Sequence, residues 1–381
     1  MGGVSIGSRS NTSINTVNPA SYSSVDSMTF MFDLGSSALM SRFSDNNGGK
    51  NTFNANLEYI TMQFPVGKGL GFSAGLLPYS FAGYNFYSND TTYLKYLNTG
   101  VQRQDTIPFT RSFLGTGGFS QVYMGLSAKL FNHLSLGINA YYMYGTITNY
   151  RDLTFNATSG YTSTTEANTI KANNFRFRFG AQYFNTFANK HDVTIGLIYE
   201  PKIKLNGGFS QVTTGVLNDT IDASHPNYTA YGFELPSFYG IGLNYSFDKK
   251  LTVGIDYSLQ QWNDAEFFGK KDSLSNRSKL AIGLEYQPNP KGRNFSDRIH
   301  YRAGFNMSDS YYKVAGTTQP KNIGVSCGLG LPLYNKATNA TSMLNATLEY
   351  GKLGSTQLRE DYLKLTLNVV FNEHWFFKRK L

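Results

Sequence analysis

Residues 235–262 read LPSFYGIGLNYSFDKKLTVGIDYSLQQW, and two runs within this stretch alternate apolar and polar side chains. In each run the aromatic and aliphatic residues share one parity. Glycine, amides, hydroxyls and one carboxylate occupy the other parity. Successive side chains leave a strand on opposite faces, so a period of two predicts a strand for each run. The short polar stretch 248–250 between them can join only antiparallel neighbours, which predicts a β-hairpin.

The polar face of this hairpin is small and carries almost no charge. A soluble antiparallel sheet buries its apolar face and places charged side chains on the face that contacts water. A small polar face opposite an apolar, aromatic face is instead typical of a transmembrane β-barrel, whose lumen is wet and whose outside contacts lipid. The hairpin therefore predicts an all-β, antiparallel barrel that spans a membrane.

The same stretch resembles the FadL-type long-chain fatty acid transporters of the Gram-negative outer membrane. The residues that carry the resemblance are Leu235, Pro236, Gly242, Tyr245, Leu251, Asp256, Tyr257 and Trp262. A second signature of that family, Asn-Pro-Ala shortly before the first strand, is present as Asn18, Pro19 and Ala20. The resemblance implies an outer-membrane barrel whose N-terminal segment folds into the lumen as a plug.

Composition agrees with a single barrel of strands. The 381 residues include 15% aromatic and only 15% charged side chains, and no apolar run reaches the roughly 18 residues of a membrane helix. The net charge is +9, but the basic residues are dispersed, so no nucleic-acid partner is predicted. They suit solvated turns and contacts with anionic lipid head groups. The one cysteine, Cys327, excludes a disulfide framework and is interpreted as a packing residue.

Alternation along the chain predicts fourteen strands. Two form the hairpin, and the others are 27–43, 52–64, 70–87, 119–131, 134–150, 172–186, 193–206, 276–288, 299–312, 321–334, 342–352 and 360–371. Long polar loops are predicted at 88–117, 151–171 and 207–233. Short and long connections alternate, as periplasmic turns and extracellular loops do in such barrels. An even strand number brings both ends of the chain to the periplasmic side.

The chain is thus divided into a plug segment at 1–26, a barrel at 27–371 and a periplasmic tail at 372–381. Fully extended, 26 residues reach roughly 85–90 Å, enough to line a lumen. The first residues contain neither the basic nor the apolar region of a signal peptide. Because an outer-membrane protein must be exported, we expect that the chain is either mature or shortened at its N-terminus. Members of the resembling family carry more residues before the segment that corresponds to Gly2 and Gly3, and this favours a missing beginning.

Two arginines of the sixth strand, Arg176 and Arg178, share its polar parity. A charge on the lipid face near the membrane centre costs about 2–4 kcal/mol, so both are predicted to face the lumen, as is Asp256. The simpler interpretation is that the arginines pair with lumen carboxylates such as Glu58, Asp256 or Glu285. The functional alternative is that they bind the carboxylate head group of a ligand.

Pro78 lies inside the third predicted strand, where a closed barrel needs every backbone donor. Proline has no N–H, so a bulge, kink or local break is expected there. In the FadL-type family a kink of the third strand opens a lateral portal to the bilayer. The resemblance therefore implies a lateral opening at Pro78, Tyr79 and Phe81, while an ordinary bulge without a portal is the alternative.

No catalytic constellation is present. The stretch 71–75 matches the Gly-x-Ser-x-Gly pattern of hydrolases, but it lies in an alternating strand without the following helix that the motif requires. The five histidines show no metal-ligand spacing. We predict that the protein is not an enzyme and uses no metal or other cofactor.

Two functions remain open. The first is passive uptake of a hydrophobic molecule, such as a long-chain fatty acid, through the plugged lumen and the lateral opening. The second is a non-transporting FadL-like subunit of an outer-membrane secretion or assembly complex. The predicted extracellular loops favour the second because they are polar rather than apolar. A general porin is a weaker third alternative because the plug motif is present. The expected partners are membrane lipids with a hydrophobic ligand or with other proteins of such a complex.

Overall fold

The fold is known from a computed structural model. It describes residues 1–44, 48–98, 101–156, 161–215, 220–224, 233–266, 274–290, 292, 294–312, 319–335, 340–354 and 359–374. In the described part of the chain, no helix has the length and apolar character needed to cross a membrane. Helical structure there is confined to the short 3-10 helices Pro19–Ser24 and Trp262–Asp264 and to the one-turn helix α1, Phe295–Arg298.

Strands make up most of the described chain. In the first half they are β1 Thr29–Ser44, β2 Gly49–Gly67, β3 Leu70–Phe81, β4 Tyr84–Asn98, β5 Val101–Leu130, β6 Leu134–Phe155, β7 Thr164–Phe187 and β8 His191–Glu200. Short strands follow, namely β9 Ile203–Lys204, β10 Gly207–Thr214, β11 Thr220–Ser224 and β12 Glu234–Leu235. The remaining strands are β13 Phe238–Phe247, β14 Leu251–Gln260, β15 Arg277–Tyr286, β16 His300–Asp309, β17 Lys321–Asn335, β18 Ala340–Gly354 and β19 Arg359–His374.

The wall is a closed barrel of fourteen antiparallel strands, which confirms the predicted fold class. The first and last strands pair along their whole length, from Thr29 opposite His374 to Ser44 opposite Arg359. Two wall strands are interrupted, because β3 and β4 both pair with β5, and β8 and β10 both pair with β7. The next wall strand likewise consists of β11, beside β10, and β13, beside β8. Counted as one strand each, these composites give fourteen.

The hairpin at 235–262 has the predicted form. β13 and β14 pair in one continuous register, from Phe238 opposite Gln260 to Phe247 opposite Leu251. Asp248 and Lys249 both have positive φ, 52° and 55°, as the central residues of a type I′ turn require. Apolar side chains of β13 such as Ile241 are exposed on the outside, where lipid lies, and the alternate glycines are buried against the contents of the lumen.

The structure corrects the prediction of long extracellular loops at 88–117, 151–171 and 207–233. Most of the described residues in these ranges belong to strands. β5 is 30 residues long, whereas β14 has 10. Roughly 9–11 residues cross a bilayer, so β5 and its neighbours continue far beyond the membrane. Outside the bilayer neither face must be apolar, and the alternation that marks a membrane strand is lost. We call these parts of β4–β7, β10 and β11 the outer sheet.

Two further boundaries differ from the prediction. The seventh wall strand was expected to run through residue 206, but β8 ends at Glu200 and the chain then leaves the wall. The last strand was expected to end at Phe371, but β19 stays paired with β1 through His374. The predicted tail therefore begins later than residue 372, and residues 375–381 lie outside the described part of the chain.

Candidate functional site: the occupied lumen and the wall beside Pro78

The N-terminal segment, residues 1–26, lies inside the barrel. Its 3-10 helix begins with Pro19, whose missing N–H is not needed at a first turn. The side chain of Asn18 caps that helix by accepting a hydrogen bond from the Ala20 N–H at 3.1 Å. The Asn18 amide also donates to the carbonyl of Ala181 on β7 at 3.3 Å and to that of Leu197 on β8 at 3.4 Å. The Asn-Pro-Ala motif thus fixes the segment to the wall.

The wall makes room for this segment with glycine. Ten glycines from nine strands contact it, and we call them the glycine belt: Gly71, Gly125, Gly137, Gly180, Gly196, Gly240, Gly242, Gly254, Gly283 and Gly304. A Cβ on Gly137 would lie 2.5 Å from the carbonyl carbon of Pro19, and one on Gly242 would lie 2.5 Å from the Gly7 nitrogen. Both distances are far inside van der Waals contact. The small side chains on the lumen face of the hairpin therefore leave space for the backbone of the N-terminal segment. The polarity of that face alone did not indicate this role.

Asp256 faces this segment from β14. Its Oδ2 accepts hydrogen bonds from the Ser5 N–H at 2.5 Å and the Ile6 N–H at 2.7 Å. A carboxylate that accepts two backbone N–H groups makes charge-assisted hydrogen bonds, which are roughly twice as strong as neutral ones. The predicted lumen carboxylate is therefore a second anchor of the segment, on β14, two wall strands away from the Asn18 contact with β8.

Arg176 and Arg178 both pair with Glu200, the last residue of β8. The Arg176 Nη2 lies 3.1 Å from the Glu200 Oε2, and all three side chains are largely buried. Arg178 also donates from Nη1 to the carbonyl of Val17 at 3.1 Å, so it binds the N-terminal segment as well. This buried cluster of two arginines and one glutamate therefore joins β7, β8 and the N-terminal segment.

The prediction that these arginines pair with Glu58, Asp256 or Glu285 is wrong, because both pair with Glu200. Glu58 pairs with Lys364 at 2.6 Å, and Glu285 pairs with Arg302 at 2.5 Å. Glu200 was not singled out, although on the predicted strand 193–206 it shares the parity of Gly196 and Ile198, which face the lumen. Its signals in the sequence were this parity and the following residue, Pro201, which ends the strand.

The wall beside Pro78 is incomplete. The ladder between β2 and β3 ends at Ile60 opposite Leu76, although β2 begins eleven residues earlier, at Gly49. Among the described residues no ladder joins this upper part of β2 to β3 or β4. β3 stays on β5 through Pro78 opposite Ser120, and its register then shifts at Tyr79. The structure thus places a β-bulge directly after Pro78, beside the gap.

The two other residues of the predicted opening point in different directions. The Tyr79 ring faces inward, and the Arg176 guanidinium carbon lies 4.8 Å from its centre. Such a contact is a cation–π interaction and attaches the bulge to the buried Glu200 cluster. Phe81 is 65% exposed on the outside of the wall. Tyr79 therefore belongs to the contents of the lumen, whereas Phe81 contacts the surroundings.

Above this cluster the chain itself fills the upper lumen. After Pro201 and again before Pro236 it leaves the wall, and β9 pairs with β12 there, apart from the barrel sheet. Leu205 and Leu235 are buried and pack with Phe119, Met143, Ile170 and Ala172, and Tyr79 lies against the same cluster. We call this the inner cluster. The prolines were its signal in the sequence, because neither can stay in a central ladder.

Among the residues that the structure describes, two cavities in the lumen bear on the function. One, of about 100 Å³, lies between Tyr79, Glu200 and Phe238. The other, of about 270 Å³, lies between the N-terminal segment and β13–β15, and most of its lining side chains are polar or charged. Sites for drug-sized ligands are typically about 300–1,000 Å³ in volume and mostly apolar. Neither cavity therefore has the usual size and lining of a site for an apolar ligand.

Solved structures of two toluene transporters and of a FadL homologue share the fold of this barrel. The Ralstonia pickettii toluene transporter TbuX superposes with a TM-score of 0.59 at 14% identity, covering 94% of this chain and 92% of that chain. A Pseudomonas aeruginosa FadL homologue gives 0.58 at 11%, covering 94% and 93%. The P. putida toluene transporter TodX gives 0.56 at 13%, covering 99% of both chains. At these identities the likeness extends to the fold alone.

Sequence comparison is more specific. No curated protein matches the chain. A family model described as BamG matches it over residues 1–381. The match covers the N-terminal segment, the barrel and the outer sheet together. The chain belongs to the BamG family.

Proposed function

We propose that this chain is a non-transporting, non-enzymatic barrel subunit of the BAM outer-membrane complex. The observation that carries the proposal is the full-length match to the BamG family, whose name implies association with that complex. The alternative given by fold alone is weaker, because a shared barrel architecture hosts unrelated functions.

The filled lumen supports a role without transport. The N-terminal segment is attached through Asn18 to β7 and β8, and it also bonds to Asp256 on β14 and to Arg178 on β7. The inner cluster occupies the upper lumen, where an apolar ligand arriving from outside would have to enter. Both features come from the chain itself and are held by buried contacts. Passage of a large molecule would require several of these contacts to break together.

The outer sheet supports a role in assembly. It stands beyond the membrane and exposes aromatic side chains, among them Phe86 at 54% and Tyr87 at 70%. The rings of Phe86 and Phe113 stack with centres 5.0 Å apart. Exposed aromatic residues are enriched at protein interfaces, where they contribute a large share of the binding energy. A neighbouring subunit of the complex is the partner that we assign to this sheet.

Passive uptake of hydrophobic molecules, such as long-chain fatty acids, is the second candidate. The interrupted ladder between β2 and β3 favours it, because a wall gap could release an apolar molecule into the bilayer. In that case the molecule would pass the segment around Asn18–Ala20 and leave beside Pro78 and Tyr79.

The decisive experiment is native purification of the tagged chain from outer membranes, followed by native mass spectrometry. A stoichiometric assembly that contains the other BAM subunits is expected. Uptake of a fluorescent long-chain fatty acid should be unchanged when the chain is depleted from cells to the lowest level that still permits growth. A barrel recovered alone with bound lipid, together with reduced uptake, would contradict the proposal and favour transport.

A further inference from the structure

The polar cavity of about 270 Å³ is a separate feature that neither proposed function uses. It lies between the N-terminal segment, which contributes Gly3, Ser5, Ile6 and Val17, and the lumen faces of β13, β14 and β15. Arg277 and Gln260 are the outermost residues of β15 and β14. The cavity is therefore just inside the extracellular rim, on the side where the wall is short.

Positive charge dominates the cavity. Three cations line it, Arg178, Arg277 and Lys279, against the single carboxylate of Asp256. Arg178 is already paired with Glu200. Neither Arg277 nor Lys279 forms an ion pair or a hydrogen bond with any of the residues that the structure describes, although other lumen cations such as Lys364 do. Two cations are thus free to bind a ligand.

The positions of these two cations suit a small oxyanion. They are two residues apart on the lumen face of β15, so their Cα atoms are separated by about 6.6–6.8 Å. Gln260 lies directly opposite Arg277, and Ser258 lies directly opposite Lys279, across the β14–β15 ladder. An amide and a hydroxyl therefore stand beside the two charges as neutral donors. An anion with several acceptor oxygens could be bound by all four groups.

The single carboxylate of Asp256 offsets only part of this charge. Its Oδ2 already accepts two N–H groups of the N-terminal segment, so the carboxylate is directed at the segment. The Lys279 ammonium reaches the same segment from the neighbouring strand β15, where a Cβ on Gly3 would be 3.0 Å from Nζ. An anion in the cavity would therefore contact the wall cations and lie against the segment at the same time.

We propose that this cavity binds a phosphate-class oxyanion between Arg277 and Lys279. The inference does not depend on the proposed function, since it concerns the lumen and not the outer sheet. Metal cations are disfavoured by the three positive side chains, and an aliphatic chain would leave the charged groups without partners. The phosphate could be a free ion or the head group of a phosphorylated lipid whose polar end reaches over the short rim.

The test is calorimetric titration of the intact barrel in neutral detergent with sodium phosphate at constant ionic strength. Saturable binding of one phosphate per chain is expected. Affinity should fall at least roughly tenfold in Arg277→Gln and in Lys279→Gln, because each removes a charge-assisted hydrogen bond. The matched control is Lys364→Gln, since Lys364 also faces the lumen but is paired with Glu58. The affinity of this variant for phosphate should equal that of the parent protein.

A second arm distinguishes the source of the phosphate. The same titration uses monophosphoryl lipid A in mixed micelles, with its dephosphorylated form as the comparison. Tighter binding of the phosphorylated lipid than of inorganic phosphate would assign the site to a lipid head group, and the reverse would assign it to the free ion. The proposal fails if neither phosphate source binds, or if both Gln variants bind as the parent does. Each variant is first checked for a heat-dependent shift in gel mobility, which shows that the barrel is closed.

Discussion

The guanidinium of Arg178 on β7 donates to the Val17 carbonyl of the N-terminal segment at 3.1 Å and contacts the carboxylate of Glu200 as well. Glu200 is the residue at which the chain leaves the wall for the inner cluster. A single buried group therefore connects the wall, the segment and the inner cluster. The contents of the lumen and the barrel should consequently behave as one cooperative unit.

Replacing Glu200 with Gln tests this coupling. The substitution leaves Arg176 and Arg178 buried without a carboxylate, and breaking a buried pair typically costs about 3–5 kcal/mol. We expect a lower urea midpoint for unfolding of the barrel in detergent, and earlier loss of segment protection from proteolysis. Glu58→Gln is the control, because its pair with Lys364 is partly exposed and such pairs contribute about 1 kcal/mol or less. Equal midpoints for both variants would refute the coupling.

The glycine belt gives a second prediction. In Gly137→Val the new side chain would occupy the position of the Pro19 backbone, so the segment must shift or leave its seat. A cysteine introduced at the buried Ser21 should then react with a water-soluble maleimide about tenfold faster. This corresponds to a free energy of opening of the segment that is lower by about 1.4 kcal/mol. The exposed native Cys327 is replaced by Ala in all samples.

Gly83→Val is the matched control for the belt, because an added Cβ at Gly83 meets nothing within 4 Å. Its labelling rate at Ser21→Cys should equal that of the parent. An unchanged rate in Gly137→Val, in a barrel that is closed by its heat-dependent gel mobility, would show that the segment is not held by the belt.

Period-two alternation was sufficient to predict the barrel but not its contents. Lipid imposes an apolar outer face on every strand, so the fourteen crossings could be counted from one sequence. Gly137 and Gly242 were visible only as small lumen residues, because their role depends on which backbone lies opposite. Glu200 and the inner cluster were missed for a similar reason. Contacts between residues far apart in the chain leave no local period, and only Pro201 and Pro236 marked the places where the strands break.

Pro78→Val separates the two candidate functions. The substitution restores one backbone donor, but the ladder to β2 has already ended at Leu76, so the wall gap should persist. For a complex subunit we expect unchanged fatty acid uptake and unchanged recovery of partners. Pro332→Val, on β17 opposite Met343 and away from the gap between β2 and β3, is the control. A severalfold loss of uptake in Pro78→Val alone, with partners retained, would favour transport.

The outer sheet was the largest departure from the sequence prediction, and its cause is physical. Beyond the membrane a strand is stabilised by its ladder and its cross-strand pairs, and its two faces can carry similar side chains. The segment 88–117 therefore resembled a polar loop. Its aromatic residues, including Phe109 and Phe113, were the signal that could have identified strands there.

Deleting residues 84–115 tests whether the outer sheet binds the rest of the complex. Phe81 and Gly118 lie opposite each other, so the four remaining residues 82, 83, 116 and 117 can close a short hairpin loop between them. The barrel should still fold, because the deleted ladder lies outside the membrane wall. Native purification should then yield the barrel without its partners. Retention of the full assembly would contradict the role given to this sheet.

Two point variants identify the face that binds. Phe86 pairs with Phe113, which has the parity of the lumen-facing Phe119, so Phe86 lies on the face above the barrel mouth. Tyr87 lies on the opposite face. The stacked pair of Phe86 and Phe113 lies on the face above the barrel mouth. We therefore expect Phe86→Ser to weaken partner binding by about 2 kcal/mol, as loss of an interface hot spot does. Tyr87→Ser should have little effect. The opposite result, measured as partner recovery over a salt series, would move the interface to the outward face.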